Sequence, residues 1–226
     1  MFDETYKVSY EGTDVEYGCI LGSSQIVYIK AGMGGSYLGY EDKYLKIAHR
    51  LNDKYCCSVI CVSNPVPLPV VVDQMILGEC IKKHDIHNHE MFFFGHSNGS
   101  IKGLALTEVG VAFEKMILVN MPLMINFHKT KAYLAAIPKT EIIAVYGELD
   151  PSFRYVPFLS GKFQNLNVLK ILLLISKNIH KILLLLNEVS HHIYIFHHDN
   201  DNFRVLMRSF HLNLLQNKHL LFFAFL

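Results

Sequence analysis

Short apolar segments with the composition of buried strands alternate along this chain with segments whose apolar residues recur at helical spacing. The strand-like segments are rich in β-branched and aromatic residues, and they occupy 25–30, 58–63, 90–94, 115–120 and 141–146. The helix-like segments lie between them, at 40–55, about 71–83, from 100 onward and around 128–137. This alternation requires helices that cover both faces of a parallel sheet. The sequence therefore predicts an α/β fold with a mostly parallel sheet.

Two more strand-like segments, 6–10 and 15–21, precede this alternating region. They flank Glu11-Gly12-Thr13-Asp14, whose composition is typical of a turn. The chain is therefore expected to begin with an antiparallel hairpin.

Composition and charge narrow the class of protein. The chain has 226 residues, of which 51% are apolar and 18% charged, so it is expected to form one globular domain over 1–226. Its net charge is +1, which provides no field that would attract nucleic acid. No glycine follows Gly161, although the chain has 14, so 161–226 is expected to be a divergent part that is atypical of an α/β domain.

The cysteines and the apolar segments bear on location. Five cysteines without paired C-x-x-C spacing predict reduced, buried thiols of a cytoplasmic protein, with neither a disulfide framework nor a zinc site. The amino terminus, Met1-Phe2-Asp3-Glu4, lacks the positive charge of an export signal. The most apolar region, 168–186, contains polar and charged residues, so no membrane span is expected.

One motif carries a specific chemistry. Gly95-His96-Ser97-Asn98-Gly99 is a G-x-S-x-G pattern between a predicted strand and a predicted helix. A turn this tight holds its central residue in a strained conformation and requires flanking residues without bulk. The Ser97 hydroxyl would then project beside a helix N-terminus, where N–H groups favour negative charge. A plain glycine-rich turn is the alternative interpretation.

From about 25 to 152 the chain resembles the α/β-hydrolase family, whose members are mostly esterases, lipases and thioesterases. Three signals occur in the family's order: a segment similar to the HGxxG oxyanion loop, the serine turn, and a segment similar to the strand-then-G-x-x-D that ends in the catalytic acid. They are Ala31-Gly32-Met33-Gly34-Gly35, with Ala31 in the histidine position, then Ser97, then Tyr146-Gly147-Glu148-Leu149-Asp150-Pro151.

The resemblance implies a role for each matching residue. Ser97 is the expected nucleophile, the N–H groups of Met33 and Asn98 the oxyanion donors, and Asp150 the acid that orients a histidine. The implied reaction is hydrolysis of a small ester or thioester through a covalent serine ester, with no cofactor and no metal. Asp150 as a helix N-cap or Asp-Pro turn and Glu148 as the acid remain alternatives.

The histidine is where the sequence departs from the family pattern, a D-H-x-F segment after the last strand. Alignment on Phe203 places Asp201 in the histidine position. His198, with His197 beside it, follows the strand-like segment 193–196 and is the predicted base, in a better position than His180, His191 or His192. The alternative is a catalytically inactive binding or scaffold protein of the same fold, since Ser97 without a base is a weak nucleophile.

Other chemistries fit less well. Tyr37 occupies the third glycine position of a dinucleotide fingerprint, which its bulk excludes. The spacing of His84, His87 and His89 would allow them to bind a metal, but these residues precede the 90–94 strand. They are therefore expected at the amino end of the sheet, opposite Ser97, as part of a solvated loop. Only 121–140 separates two strands where larger family members carry a lid. That length allows one helix and no separate lid, so an open pocket and a small or carrier-bound substrate are expected.

Overall fold

The computed structural model describes residues 1–84, 86, 89–147, 150–159, 162–163, 166–173 and 194–196. The strands are β1 Glu4–Tyr10, β2 Thr13–Ile20, β3 Ser23–Lys30, β4 Cys57–Val62, β5 Glu90–His96, β6 Lys115–Val119, β7 Glu141–Gly147, β8 Leu166–Leu173 and β9 Tyr194–Phe196. The α-helices are α1 Lys43–Tyr55, α2 Val70–Lys83, α3 Asn98–Glu108 and α4 Leu123–Ala136, and 3₁₀ helices occupy Tyr40–Asp42 and Pro151–Phe158.

The described strands form one sheet in the order β1-β2-β4-β3-β5-β6-β7-β8-β9. β1 and β2 form the predicted antiparallel hairpin, and β2 pairs antiparallel with β4. Every later pairing, from β4 to β9, is parallel. The predicted α/β class and the mostly parallel sheet are therefore confirmed.

Helices cover both faces of the sheet because neighbouring residues of each strand point to opposite sides. On β3, Tyr28 joins a core formed with α2, α3 and α4, whereas Ile29 joins a core formed with α1. Both side chains are fully buried. Each face of a parallel strand contacts apolar residues, which explains the nearly continuous apolar runs in the sequence.

Several predicted elements differ from the observed ones at their ends. β5 continues to His96 and α3 begins at Asn98, so the predicted turn over 95–99 contracts to Ser97 alone. α4 begins at Leu123, earlier than the predicted start near 128. β8 was not predicted, because its apolar run lacks both the alternation and the turn residues that identify a strand.

Other expectations concern the thiols and apolar helices. All five cysteines are free; four are buried as predicted, and Cys56 is exposed, which corrects that prediction. Cys56 follows the end of α1 with a φ of 54°, and this turn at the helix end directs it to the surface. Among the described helices, none is long and apolar enough to cross a membrane.

Between β6 and β7 the chain forms α4. Phe127 of α4 packs against the 3₁₀ helix Pro151–Phe158, with ring-centroid distances of 5.9 Å to Tyr155 and 6.2 Å to Phe158. The loops after β3, β5 and β7 all leave the same end of the sheet, the carboxyl end of these strands, because the strands are parallel. The three motif segments therefore lie at this end.

Candidate active site

Ser97 forms the turn between β5 and α3. Its backbone has φ 52° and ψ −123°, a conformation that a residue with a side chain adopts only at a cost of about 1–3 kcal/mol. Two hydrogen bonds hold this conformation: the Ser97 N–H donates to the Val119 carbonyl at 2.8 Å, and the Ser100 N–H donates to the Ser97 carbonyl at 2.9 Å. Ser97 is half-buried in this turn.

Two glycines allow the backbones around Ser97 to approach closely. A Cβ at Gly95 would lie 2.6 Å from the Ser100 Cα. A Cβ at Gly99 would lie 2.5 Å from the Ala31 carbonyl oxygen and would also overlap the Lys30 carbonyl oxygen. Gly99 therefore allows α3 to pack directly on the end of β3, which is where the loop of the first motif begins.

The loop after β3 lies beside Ser97. It is a β-turn in which the Gly35 N–H donates to the Gly32 carbonyl at 2.9 Å and Gly34 has a φ of 73°. A Cβ at Gly32 would lie 3.2 Å from the Ser97 Cβ and 3.1 Å from His96 Nδ1. The structure thus brings the segment that contains Met33 against the serine turn. The Met33 side chain is 44% exposed, and the turn's own hydrogen bond does not use its N–H.

Asn98 is the first residue of α3. The first N–H groups of a helix have no partner within the helix, and the helix dipole makes this end partly positive. The Asn98 N–H therefore lies in the part of the helix that favours a negatively charged oxygen. Together, the Gly32 turn and the start of α3 place two backbone segments on either side of Ser97.

Asp150 follows β7 and caps the 3₁₀ helix Pro151–Phe158. Its Oδ1 accepts a hydrogen bond from the Ser152 N–H at 2.8 Å. The N-cap, one of the alternatives from sequence, is therefore present in the structure. The Asp150 charge also acts on the serine turn, where it favours the protonated form of His96. Glu148, the alternative acid, lies outside the described residues.

His96 is the neighbour of Ser97 that sequence reasoning did not select. Burial lowers the pKa of its imidazole, nearby Lys43 lowers it further, and Asp150 opposes both effects. The histidine beside the serine is therefore held toward its neutral form. Within the motif its position looks variable, and only the close packing against Gly32 shows that it forms part of the site.

A buried ion pair underlies the same edge of the sheet. Lys30 Nζ lies 2.7 Å from Asp73 Oδ1 and donates to the Ser63 carbonyl at 2.8 Å. The Tyr28 hydroxyl donates to the same carboxylate oxygen at 2.7 Å. Lys30 is 2% and Asp73 1% exposed, so the pair lies in the core. These contacts tie together the ends of β3 and β4 and the start of α2.

The predicted base, His198, and the residues His197 and Asp201 lie outside the described part of the chain. β9, the strand before them, ends at Phe196. It is four strands from β5, which corresponds to roughly 19 Å across a sheet with strands about 4.8 Å apart. β8 pairs in parallel with β7, and Ile171 lies opposite Gly147, so the carboxyl ends of β7 and β8 lie at the same end of the sheet.

The candidate metal ligands at the amino-terminal end of β5 are only partly described. His84 ends α2, and its Nε2 lies 3.6 Å from Glu4 Oε2, while His89 directly precedes β5. Both lie at the end of the sheet opposite Ser97, as predicted. Within the described ranges, no group of three or more His, Cys, Asp or Glu side chains is placed to hold a metal ion.

Solved structures similar to this chain include proteins described as esterases and as a serine hydrolase homologue. The chain is similar to a cold-adapted esterase from an Arctic intertidal metagenomic library, with a TM-score of 0.59, 13% identity, and coverage of 94% of this chain and 92% of that one. For Est1E from Butyrivibrio proteoclasticus the values are 0.56, 13%, 74% and 88%. For an α/β serine hydrolase homologue from Coxiella burnetii they are 0.53, 12%, 96% and 98%.

These similarities establish the α/β-hydrolase fold for this chain. No family model and no curated protein matches its sequence. At 12–13% identity the likeness concerns the fold, and the chemistry has to be argued from the residues themselves.

Proposed function

We propose that this protein is a serine hydrolase that cleaves a small ester or thioester through an acyl-enzyme on Ser97. The observation that carries the proposal is the backbone of Ser97, whose φ of 52° and ψ of −123° are held at a strand-to-helix turn beside the Gly32 loop. Strain of this kind is concentrated at functional sites. A plain glycine-rich turn would not require a non-glycine residue at the strained central position.

The reaction proceeds in two steps. Ser97 Oγ attacks the acyl carbonyl carbon while its proton passes to a histidine base, and that proton then goes to the departing alcohol or thiol. Water, deprotonated by the same base, hydrolyses the serine ester and releases the acid. The N–H groups of Met33 and Asn98 bind the oxyanion in both steps, and Asp150 orients the imidazole.

His198 is the base in this proposal, and the strand order supplies a comparison residue. His180 follows β8, the strand that pairs with β7, whereas His198 follows β9 at the sheet edge. Substitution of each histidine separately by alanine decides which one serves Ser97. Loss of activity in His198→Ala alone supports the proposal, and loss in His180→Ala alone transfers the role to His180.

The proposed substrate is small. α4 and the adjacent 3₁₀ helix are the elements that the structure shows after β6 and β7 on this side. Several of the similar structures are described as esterases or as a serine hydrolase homologue, which supports an ester. We also infer a cytoplasmic location, because all five thiols are free.

Hydrolysis of p-nitrophenyl acetate, butyrate and octanoate tests the proposal. The wild type is expected to turn over the shorter esters, and Ser97→Ala to lose the activity. Ser36→Ala is the matched control, because Ser36 is an exposed serine of the neighbouring loop. Asp150→Asn is expected to lower kcat by on the order of 10⁴, the effect of the wrong histidine tautomer in serine proteases.

A non-catalytic binding protein of the same fold is the second candidate. The observation that favours it is Asp201 at the position where the family pattern has its histidine. A folded wild type that hydrolyses none of the three esters faster than Ser97→Ala does would support this candidate.

A further inference from the structure

Asn64, which follows β4 by two residues, is bonded through its main chain to the loop beside Ser97. Its N–H donates to the Gly35 carbonyl at 2.9 Å, and its carbonyl accepts from the Gly34 N–H at 2.7 Å. These two bonds form a short antiparallel bridge that holds the far half of the Gly32 turn. Asn64 is 2% exposed, so water does not compete for these bonds.

The side chain of Asn64 contacts both segments that flank Ser97. Its Nδ2 donates to the Ala31 carbonyl at 3.1 Å and to Asn98 Oδ1 at 3.2 Å. A primary amide nitrogen has two N–H donors, so these contacts use both. Ala31 directly precedes the Gly32 turn, and Asn98 is the first residue of α3. One amide group therefore bridges the two backbone segments that carry the proposed oxyanion donors.

The position of Asn64 is itself fixed by contacts of the residue that precedes it. The preceding residue, Ser63, accepts a hydrogen bond from Lys30 Nζ through its carbonyl at 2.8 Å. Lys30 is paired with Asp73 at 2.7 Å inside the core. The buried ion pair thus fixes the segment that carries Asn64. The main chain and side chain of Asn64 in turn form hydrogen bonds with the loop after β3 and with the first residue of α3.

We propose that Asn64 is a positioning residue that holds the Met33 and Asn98 N–H groups at a fixed separation around the oxyanion. This inference rests on the proposed serine-hydrolase function. Donors aimed in advance at the developing charge lower the barrier without reorganisation during the reaction, and a displacement of about 1 Å costs about 10²-fold in rate. Loss of the bridge therefore lowers kcat and leaves substrate binding nearly unchanged.

Asn64→Ala tests the proposal, with Asn52→Ala as the matched control. Asn52 Nδ2 also donates to two carbonyls, those of Leu21 at 2.8 Å and Cys57 at 2.9 Å, but it ties the end of α1 to the start of β4, at the opposite edge. Each substitution removes two hydrogen bonds donated by a side-chain amide nitrogen. Only Asn64→Ala removes bonds to the segments that flank Ser97.

The readouts are kcat and KM on the best p-nitrophenyl ester, the inhibition constant of an acyl trifluoromethyl ketone, and the thermal midpoint. Ser97 Oγ adds to the ketone carbonyl carbon, and the carbonyl oxygen becomes an oxyanion in the hole, so the affinity of the ketone reports the donors directly. Asn64→Ala is expected to lower kcat by about 10²-fold, to change KM by less than about threefold, and to weaken the ketone by a factor similar to that in kcat. Asn52→Ala is expected to lower the thermal midpoint, while kcat and the inhibition constant of the ketone stay within about threefold of wild type.

A second variant covers the case in which Asn64→Ala does not fold. Asn98→Ala removes one of the two acceptors of the Asn64 amide and retains the Asn98 N–H. It is expected to fold, because Asn98 is only half-buried at the start of α3, and to lower kcat by about tenfold with KM nearly unchanged.

The outcomes separate the two proposals. A wild type that turns over esters, with unchanged kcat and ketone affinity in Asn64→Ala and Asn98→Ala, overturns the role of Asn64 and leaves the hydrolase function standing. Equal kcat losses in Asn64→Ala and Asn52→Ala also overturn it, because they indicate a general effect of stability. A folded wild type without turnover overturns the hydrolase function and the positioning role with it.

Discussion

Replacement of Gly99 by alanine tests the close packing on which the site depends. Gly99 is the second residue of α3, and its backbone lies against the end of β3. A Cβ there would lie 2.5 Å from the Ala31 carbonyl oxygen and would overlap the Lys30 carbonyl oxygen. These neighbours are backbone atoms, which cannot rotate away, so α3 or β3 has to shift.

Two effects of opposite sign decide the result. Alanine in place of glycine stabilises a helix by up to about 1 kcal/mol where space is free. Insertion of a methyl group into a packed region costs about 1–3 kcal/mol, and here the overlap is with backbone. The clash outweighs the helix propensity, so the free energy of unfolding is expected to fall by about 1–3 kcal/mol, with a loss of about 2–4 °C in Tm for each kcal/mol.

The control is Gly78→Ala in α2. Gly78 is exposed, and a Cβ built there would meet no atom within 4 Å apart from the neighbouring backbone of its own helix, so this variant is expected to gain up to about 1 kcal/mol. Urea unfolding of the wild type and the two variants measures both signs. Gly99→Ala at least as stable as wild type would refute the reasoning, because it would show that α3 does not contact the end of β3.

Three further predictions concern titration, charge and thiols. Burial lowers the pKa of His96, so below about pH 6.5 the unfolded state binds more protons than the folded state, and the free energy of unfolding falls as the pH falls from about 7 to 5. His96→Gln should reduce this dependence of the free energy of unfolding on pH. An unchanged dependence in urea unfolding would contradict the prediction. Asp73→Asn should cost about 3–5 kcal/mol by the same assay, since it leaves Lys30 buried without its partner; a loss below about 1 kcal/mol would show that the pair is not buried. Iodoacetamide should alkylate native protein at Cys56 alone, because burial raises the pKa of Cys57 to about 11 and the other thiols are also buried; modification at other cysteines in a peptide map would refute that assignment.

The parts of the fold set by local pattern were predictable from the sequence. Strands with turn residues at their ends, such as β3 and β4, and the β1–β2 hairpin were predicted within one or two residues. β8 was not, because its apolar run shows no alternation in the sequence and no glycine or proline marks its end. The start of α4 was missed for a related reason: its first turn follows Pro122 and has no capping side chain.

In the candidate site, too, only the residues that belong to a local pattern could be predicted from the sequence. Ser97 and its flanking glycines were predictable because a tight strand-to-helix turn restricts residue size. Asn64, His96 and the Lys30–Asp73 pair were not, because their importance comes from contacts between segments far apart in the sequence. A polar residue soon after a strand, as Asn64 is, looks like an ordinary loop residue until the two segments it bridges are known.

Labelling with a fluorophosphonate probe, read by intact mass, tests the central claim most directly. The probe reacts with an activated serine and requires no knowledge of the substrate. One adduct is expected on the wild type and on Ser36→Ala, none on Ser97→Ala, and slower labelling on His198→Ala. A folded wild type that remains unlabelled, or equal labelling of Ser97→Ala, would contradict the assignment of Ser97 as the nucleophile.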